Sequence, residues 1–197
     1  MRRHLPQRLW FWPWLVTVGI CTGLIGFTTA AAQATPPFVI HTLTVTGGDT
    51  DMLLHMGSRL RLPKEPRNAL YSGLSLHFQV EVQLFQEYQW WLDRTVAAHT
   101  LRYRLVYRSL TGRFIVQSLD YDTEVSYPAL SSALAYIGNL KDFPVTPLAN
   151  LESDARYRGT ATVFLDISQL PAPLRPTAFI SNDWRISSEP QTWYWPQ

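Results

Sequence analysis

The chain has 197 residues, a formal net charge of +2 and a sequence pI near 8.8. Three of its 17 basic residues fall in the first 34 positions and all 15 acidic residues follow, so residues 35–197 carry a net charge of −1, which argues against nucleic-acid binding. The single cysteine, Cys21, also falls in that first segment, which excludes a disulfide within the remaining 163 residues and leaves them to be held by one hydrophobic core.

The N-terminal segment has the three regions of a secretory signal peptide. Met1–Arg8 is basic, Leu9–Phe27 is almost wholly apolar, and Thr28–Ala34 is rich in small residues with Ala-x-Ala cleavage sites. An uncleaved anchor is the alternative, because the apolar run approaches the roughly 20 residues that span a bilayer. We predict a signal peptide at 1–34 and one periplasmic domain at 35–197, with membrane contact only through the N-terminal segment if it is not cleaved.

The first part of this domain predicts two strands and a short helical turn. Phe38–Thr46 is rich in β-branched residues and ends at two glycines. Met52–Leu62 is a second strand, which can lie at a sheet edge or bend at Gly57 before Pro63 ends it. Asn68–Gly73 can form a single helical turn that stops at its glycine.

The strongest pattern is that of a long hairpin. In Leu74–Tyr88 six apolar residues alternate with polar ones, and Val96–Ser109 continues the alternation, which is typical of two half-buried strands. If the hairpin is centred between Trp91 and Leu92, Glu81 lies opposite Arg102 on the neighbouring strand. The alternation determines which side chains share a face, but a shift of two residues keeps those faces, since no turn motif sets the length of the apex.

Beyond the hairpin the sequence predicts further strands and one amphipathic helix. Ser126–Leu140 is the helix, with Ser126 or Tyr127 as its cap and Pro128 in its first turn. The other predicted segments are a strand at Arg113–Leu119, an extended or turning stretch at Asp120–Val125, a loop at Asp142–Asp154, a strand at Arg156–Ile167, an irregular crossing through Pro171, Pro173 and Pro176, a short strand at Phe179–Ser187 and an aromatic tail at Thr192–Trp195. Together they predict a mainly β fold, an antiparallel β-sandwich with a long central hairpin and one amphipathic helix.

The sequence carries no established catalytic motif, so we predict a protein that is not an enzyme and needs no cofactor. It contains no Gly-x-Ser-x-Gly, no His-Glu-x-x-His and no phosphate-binding glycine loop. His77 and His99 lie on opposite faces of their strands, so the histidines are not expected to form a zinc site. Asp120, Asp122 and Glu124 alternate, which can place three carboxylates on one side for calcium or can mark a solvated strand edge.

Two surfaces are candidates for binding a partner. Trp90 and Trp91 lie at the predicted apex, where they can form an exposed interface or close the end of the sandwich. Arg102, Arg104 and Arg108 point outward on the second hairpin strand, where they can bind an anionic partner or form a solvated face paired with nearby glutamates. The sequence leaves both pairs of alternatives open.

Several stretches together resemble a known family. They are LSLHFQVEVQLF with WWLDR, LRYRLVYRSLTGRFIV, SYPALSSALAYIGNL, FLDISQLPAPLRP and NDWRISSEPQTWYW, which extend from about Pro37 to Trp195. In this order they are similar to the bacterial envelope family called domain of unknown function 4390. The resemblance implies an exported protein and, through the neighbouring genes of that family, an association with sensor kinases of the nitrogen-regulation type. It implies no catalytic residue.

The same stretches contain four residues with a predicted structural role: Asp166, Pro171, Arg175 and Trp184. Asp166 has the parity of the polar side of its strand, just before the prolines. Its carboxylate can accept backbone N–H groups there and fix the reversal of the chain, and Arg175 or Arg185 can pair with it. We interpret these residues as structural rather than ligand-binding.

These observations predict a non-enzymatic interaction or regulatory module of the periplasm, whose partner is an inner-membrane protein such as a sensor kinase. A carrier of a lipid or another apolar ligand is the alternative, because long apolar-faced strands with an amphipathic helix can enclose a ligand. A hydrolase would need Asp, His and Ser side chains gathered in space, which the sequence does not show.

Overall fold

The computed structural model describes residues 36–88 and 92–196. The predicted signal peptide and the two apex tryptophans, Trp90 and Trp91, lie outside these residues. Within them the elements are β1 (Phe38–Gly47), β2 (Asp51–Leu60), α1 (Lys64–Tyr71), β3 (Leu76–Glu87), β4 (Arg94–Arg108), β5 (Arg113–Ser118), β6 (Thr123–Tyr127), α2 (Leu130–Gly138), β7 (Leu140–Pro147), β8 (Arg156–Leu165), α3 (Arg175–Ile180) and β9 (Gln191–Trp195). Among these helices, none has the length and apolar character needed to cross a membrane.

The strands form two antiparallel sheets around one core. The larger sheet has the order β6-β5-β4-β3-β8-β9 and the smaller one the order β1-β2-β7. Buried apolar residues of both sheets belong to one cluster, in which the ring of Phe38 stacks on that of Phe78 with their centroids 6.0 Å apart. The mainly β fold and the antiparallel sandwich are therefore confirmed.

β3 is a central strand of the larger sheet. It pairs with β4 on one side and with β8 on the other, almost over its full length. Its even-numbered residues face the core, and the five apolar ones, Leu76, Phe78, Val80, Val82 and Leu84, are all 0% exposed. Full burial of such a side chain contributes roughly 1.5–3 kcal/mol, so this row determines which face of the hairpin points inward.

The register of the hairpin differs from the predicted one by two residues. Glu81 faces Thr100 instead of Arg102, and Arg102 faces Gln79. Each side chain nevertheless lies on the predicted face, because the alternation specifies the face while the pairing partner depends on the apex. A β-bulge after Leu84 shifts the register once more towards the apex.

The main helix is shorter than predicted. α2 begins at Leu130, whereas Ser126 and Tyr127, the predicted caps, belong to β6 and pair with β5. Pro128 explains the difference, since a proline disfavours helical backbone at the residue before it and so favours an extended Tyr127. The end of α2 is held on β2 by a hydrogen bond of 2.7 Å from the Ser58 hydroxyl to the carbonyl oxygen of its last residue.

The predicted loop at Asp142–Asp154 is wrong over its first half. The strand β7 extends to Pro147, and its Phe143 and Val145 side chains are buried in the core. A proline in the sequence favoured a loop, but Pro144 is compatible with β7 because this strand lies at the edge of its sheet.

The predicted strand at Phe179–Ser187 is also wrong. α3 occupies its beginning, with Pro176 in the first helical turn, where the missing N–H removes no helical hydrogen bond. Ser187 makes an isolated bridge to Phe164, and the predicted aromatic tail is the strand β9, which pairs with β8. α3 is present in addition to the single amphipathic helix that the sequence predicts, while α1 overlaps the predicted helical turn at Asn68–Gly73 but begins four residues earlier, at Lys64.

Trp193 of β9 lies across Gly159 of β8. A Cβ atom added at Gly159 would overlap the indole ring, so the glycine lets the buried Trp193 side chain lie against the strand. The position therefore couples the edge strand β9 to the core.

Gly159→Ala is expected to destabilise the fold by about 1–3 kcal/mol, because the added methyl group displaces the Trp193 ring. Denaturant unfolding measures this change. Thr162→Ala, on the outward face of the same strand, is the matched control and is expected to change the free energy of unfolding by less than about 1 kcal/mol. Equal stability of Gly159→Ala and the wild type would show that the ring is not held as described.

Candidate functional site

A cavity of about 550 Å³ opens beside the β3–β4 hairpin near its apex. We call it the apex cavity. The lining residues that matter for its chemistry are Gln86, Glu87, Asp93, Glu152, Asp154 and Arg156. They come from the end of β3, from the chain just before β4 and from the segment that leads into β8, so the fold gathers them from three parts of the sequence.

Gln86 is the polar member of this lining that is withdrawn from water. It is the last inward-facing residue of β3 and only 2% exposed. Its Nε2 donates to Glu152 Oε2 over 3.0 Å, but its Oε1 has no hydrogen-bond partner among the described residues. A buried acceptor without a donor costs about 1–3 kcal/mol, so this oxygen favours a ligand that supplies an N–H or O–H group.

Gln86 is not among the site residues predicted from the sequence, although its position carries a signal. The residue continues the inward parity of the apolar row of β3, where a polar side chain is unexpected. A polar residue at a core position requires a partner or a function, and that was the available indication.

The segment opposite Gln86 is fixed by a buried tyrosine. Tyr157 faces Gln86 across the β3–β8 pair and is 1% exposed. Its hydroxyl oxygen accepts the backbone N–H of Glu152 over 2.7 Å. This contact fixes the main chain at Glu152, and the hydrogen bond from Gln86 Nε2 holds its carboxylate.

The carboxylates of the lining are only partly neutralised. Arg158 donates to Asp93 Oδ2 over 2.6 Å and to Glu87 Oε1 over 3.2 Å, and the bond to Asp93 is the main cause that raises the pKa of Arg158. Glu152 Oε1 lies 3.9 Å from the guanidinium of Arg94. Asp154 makes no ion pair within residues 36–88 and 92–196. With Arg94, Arg156 and Arg158 counted against the four carboxylates, the cavity keeps a local excess of one negative charge, which favours a cationic ligand.

A second polar arrangement, which we call the polar row, crosses the outer face of the larger sheet. It consists of Glu124, Gln117, Arg104, His77 and Asp166, which are neighbours on β6, β5, β4, β3 and the end of β8. Arg104 Nε donates to Gln117 Oε1 and Gln117 Nε2 donates to Glu124 Oε2, both over 2.6 Å. A cavity of about 210 Å³ borders the His77 end of the row.

Asp166 directly follows β8 and organises the chain that comes after it. Its Oδ1 accepts the backbone N–H of Ser168 over 3.0 Å, and its Oδ2 accepts Gln79 Nε2 over 2.6 Å. The predicted pairing with Arg175 is wrong, because Arg175 Nε donates to the carbonyl oxygen of Leu170 over 2.7 Å. The carboxylate already accepts hydrogen bonds from Gln79 and Ser168. Within the described part of the chain, Asp166 makes no ion pair with Arg185 either.

The two other predicted structural residues differ in their surroundings. Trp184 is buried and belongs to the core cluster. Pro171 is exposed and follows Leu170, whose side chain is buried. Pro171 thus faces solvent, while the buried side chains of Leu170 and Trp184 hold the segment to the sandwich.

His77 lies between opposite charges. Burial is the main cause that lowers its pKa below the ordinary value of 6.5, Arg104 lowers it further, and Asp166 acts in the opposite direction. Ser168 is the serine beside Asp166, and its hydroxyl donates to Asp166 Oδ1 over 2.6 Å. The serine hydroxyl is therefore hydrogen-bonded to the carboxylate of Asp166. In a nucleophile–base pair it would instead be hydrogen-bonded to the imidazole of His77.

The predicted arginine surface is partly occupied by internal contacts. Arg102 donates through Nε and a terminal nitrogen to Asp120 Oδ1, over 3.0 and 2.7 Å. Arg104 belongs to the polar row, while Arg108 is exposed and faces Arg113. Only part of this positive charge remains available to an anionic partner.

The predicted alternation of three carboxylates for calcium is not formed. The chain turns after β5, so Asp120 and Asp122 lie in the turn and Glu124 lies in β6. Asp120 is held by Arg102. Within residues 36–88 and 92–196, no three histidine, cysteine or carboxylate side chains lie together in a way that could hold a metal ion.

The fold and the two polar sites define a mainly β, two-sheet protein with an acidic cavity at one end and a hydrogen-bonded outer face. The chain belongs to the family described as Domain of unknown function (DUF4390), which matches residues 35–194. The family resemblance in the sequence is thereby confirmed. Comparison with curated proteins found no match, and comparison with solved structures found none.

The lowered pKa of His77 predicts the direction of its pH response. Because the unfolded chain binds a proton at His77 more readily than the folded one, the free energy of unfolding is expected to fall as the pH decreases below about 6.5. His77→Gln should lessen that fall in denaturant unfolding measured at pH 8, 7, 6 and 5.

Two charge variants check the cause of the shift. In an NMR titration of the His77 ring, Arg104→Gln should raise the pKa and Asp166→Asn should lower it further. Opposite directions, or a wild-type pKa at or above 6.5, would refute the electrostatic description of the polar row.

Proposed function

We propose that this protein is a non-enzymatic interaction module of the periplasm, and that its apex cavity binds a lysine or arginine side chain of an inner-membrane partner protein. The observation that carries the proposal is the buried Oε1 of Gln86, which lacks a donor within the described residues and belongs to a residue that lines a cavity together with four carboxylates. A buried polar group that folding leaves unpaired calls for an explanation, and the cavity beside Gln86 supports a partner that pairs it.

A cationic side chain fits both features of the cavity. An ammonium or guanidinium group donates several hydrogen bonds, one of which can satisfy Gln86 Oε1 while others reach Glu152 or Asp154. Hydrogen bonds with an ionised partner are roughly twice as strong as those between neutral groups. An anionic group would instead meet the excess of carboxylates.

The outer-face arginines support the proposal less well. Asp120 holds Arg102 through two nitrogens, and Gln117 holds Arg104. An anionic partner on that face would compete with these contacts at Arg102 and Arg104 and would find only Arg108 exposed without an ion pair among the described residues, whereas a donor in the apex cavity adds a contact that is missing.

The experiment is co-purification from membranes after mild cross-linking, with a C-terminal tag on the full chain. We expect the wild type and Gln83→Leu to recover the same inner-membrane protein, and Gln86→Leu to recover at least about tenfold less, which corresponds to one lost charge-assisted hydrogen bond. Gln83 lies on the same strand but on its outward face, so it controls for the loss of an amide.

Stability measurements separate binding from folding. Gln86→Leu removes an unpaired acceptor together with one hydrogen bond to Glu152, so its free energy of unfolding should stay within about 1 kcal/mol of the wild type. Loss of more than about 3 kcal/mol would identify Gln86 as a structural residue. Undiminished recovery of the partner by a stable Gln86→Leu would refute the proposed site.

A small probe tests the chemistry of the cavity directly. Ethylguanidinium should shift the side-chain amide resonance of Gln86, and the neutral ethylurea should shift it much less. If native mass spectrometry of the gently purified protein instead showed a retained lipid and no protein were cross-linked, the carrier alternative would be supported. A sensor kinase as the partner stays a prediction from the family resemblance.

A further inference from the structure

A surface that combines apolar and cationic side chains lies at the end of the sandwich opposite the apex cavity. Its apolar part is on and beside α3, where Ile180 is 82%, Phe179 56% and Leu174 38% exposed. Ala178 of the same helix is buried, so α3 is held through one side while these larger side chains face solvent. We call this surface, with the cations described next, the α3 patch.

Cations adjoin the apolar part. Ser181, directly after α3, donates to Glu65 Oε2 of α1 over 3.2 Å, which joins the two helices. Exposed cations of α1 and its approach, Arg61, Lys64 and Arg67, make no ion pair among the described residues, and Arg175 of α3 is also exposed. Glu65 keeps its negative charge, but the four cations outnumber it, so the patch has an excess of positive charge.

The N-terminal segment of the chain joins the domain at this same end. The carbonyl oxygen of Pro37 accepts the backbone N–H of Arg61 over 2.8 Å, so the entry point of the chain lies beside the cations of the patch. The apolar run Leu9–Phe27 is separated from Pro36 by residues 28–35, which can span at most about 29 Å. The patch therefore lies at the end of the domain where residue 36 enters the sandwich.

We propose that the α3 patch docks the domain on an anionic phospholipid surface, with Phe179 and Ile180 entering the interface and the cations contacting phosphate groups. Exposed apolar side chains next to unpaired lysines and arginines are the combination that binds anionic membranes. The proposal does not depend on the apex cavity, and it applies whether the N-terminal segment is cleaved or retained.

The test places a fluorescent label on α3 and asks whether it contacts lipid. The full chain carrying Cys21→Ser and Thr177→Cys is labelled with an environment-sensitive dye and mixed with, or reconstituted into, vesicles that contain spin-labelled lipid. One vesicle set is phosphatidylcholine alone and the other contains about one third phosphatidylglycerol. We expect the dye at 177 to be quenched in the anionic vesicles.

Leu92→Cys in the same Cys21→Ser background is the matched control, because Leu92 is exposed to 94% and lies at the apex end. A dye there should not be quenched. Equal quenching at 92 and 177, or no quenching at 177, would overturn the proposal.

Two further variants separate the contributions to lipid contact. Phe179→Ser with Ile180→Ser should abolish most of the quenching at 177 in anionic vesicles. Lys64→Glu with Arg67→Glu should weaken binding by about tenfold or more, since each cation near an anionic surface changes affinity by roughly fivefold. A dye signal at 177 that changes with protein concentration in the absence of vesicles would assign the patch to self-association and refute lipid docking.

Discussion

The alternation of buried and outward side chains along β3 is the constraint on which the rest of the structure depends. The strand is paired on both sides, so its inner row is covered by the core and its neighbours hold it almost from end to end. A slip of one residue would place Glu81 and His77 in the core and expose the apolar row, which no local contact could offset. The same alternation puts Gln86 inside near the apex and His77 outside at the other end, so it creates both polar sites.

Exposed and buried polar groups differ in what they reveal. On the outer face, Arg104, Gln117 and Glu124 satisfy one another, and water can complete whatever they leave open. Gln86 has neither a second protein partner among the described residues nor access to bulk water. A charged surface is therefore ordinary, whereas one unpaired amide oxygen in the interior is informative about a ligand.

The faces of the strands could be predicted from the sequence because burial is encoded directly in the period-two pattern of Leu74–Tyr88. The register could not, since it depends on an apex without a turn motif. Pro144 and Pro128 misled the prediction because their effect depends on tertiary position, an edge strand in one case and the end of β6 in the other. The apex cavity could not be predicted at all, since β8 and the segment before it bring Glu152 and Asp154 to Gln86 from more than sixty residues away.

The length of β3 has a consequence for the reach of any partner. Its 12 residues extend about 36–40 Å, and the α3 patch and the apex cavity lie at its two ends. A domain that rests on lipid through the patch, with β3 along the membrane normal, would hold the cavity at about that height above the headgroups. Residues that immediately flank a membrane span could not reach it, whereas a folded extramembrane domain or a long loop could. The strand would then select partners by how far they project from the bilayer, independently of their sequence.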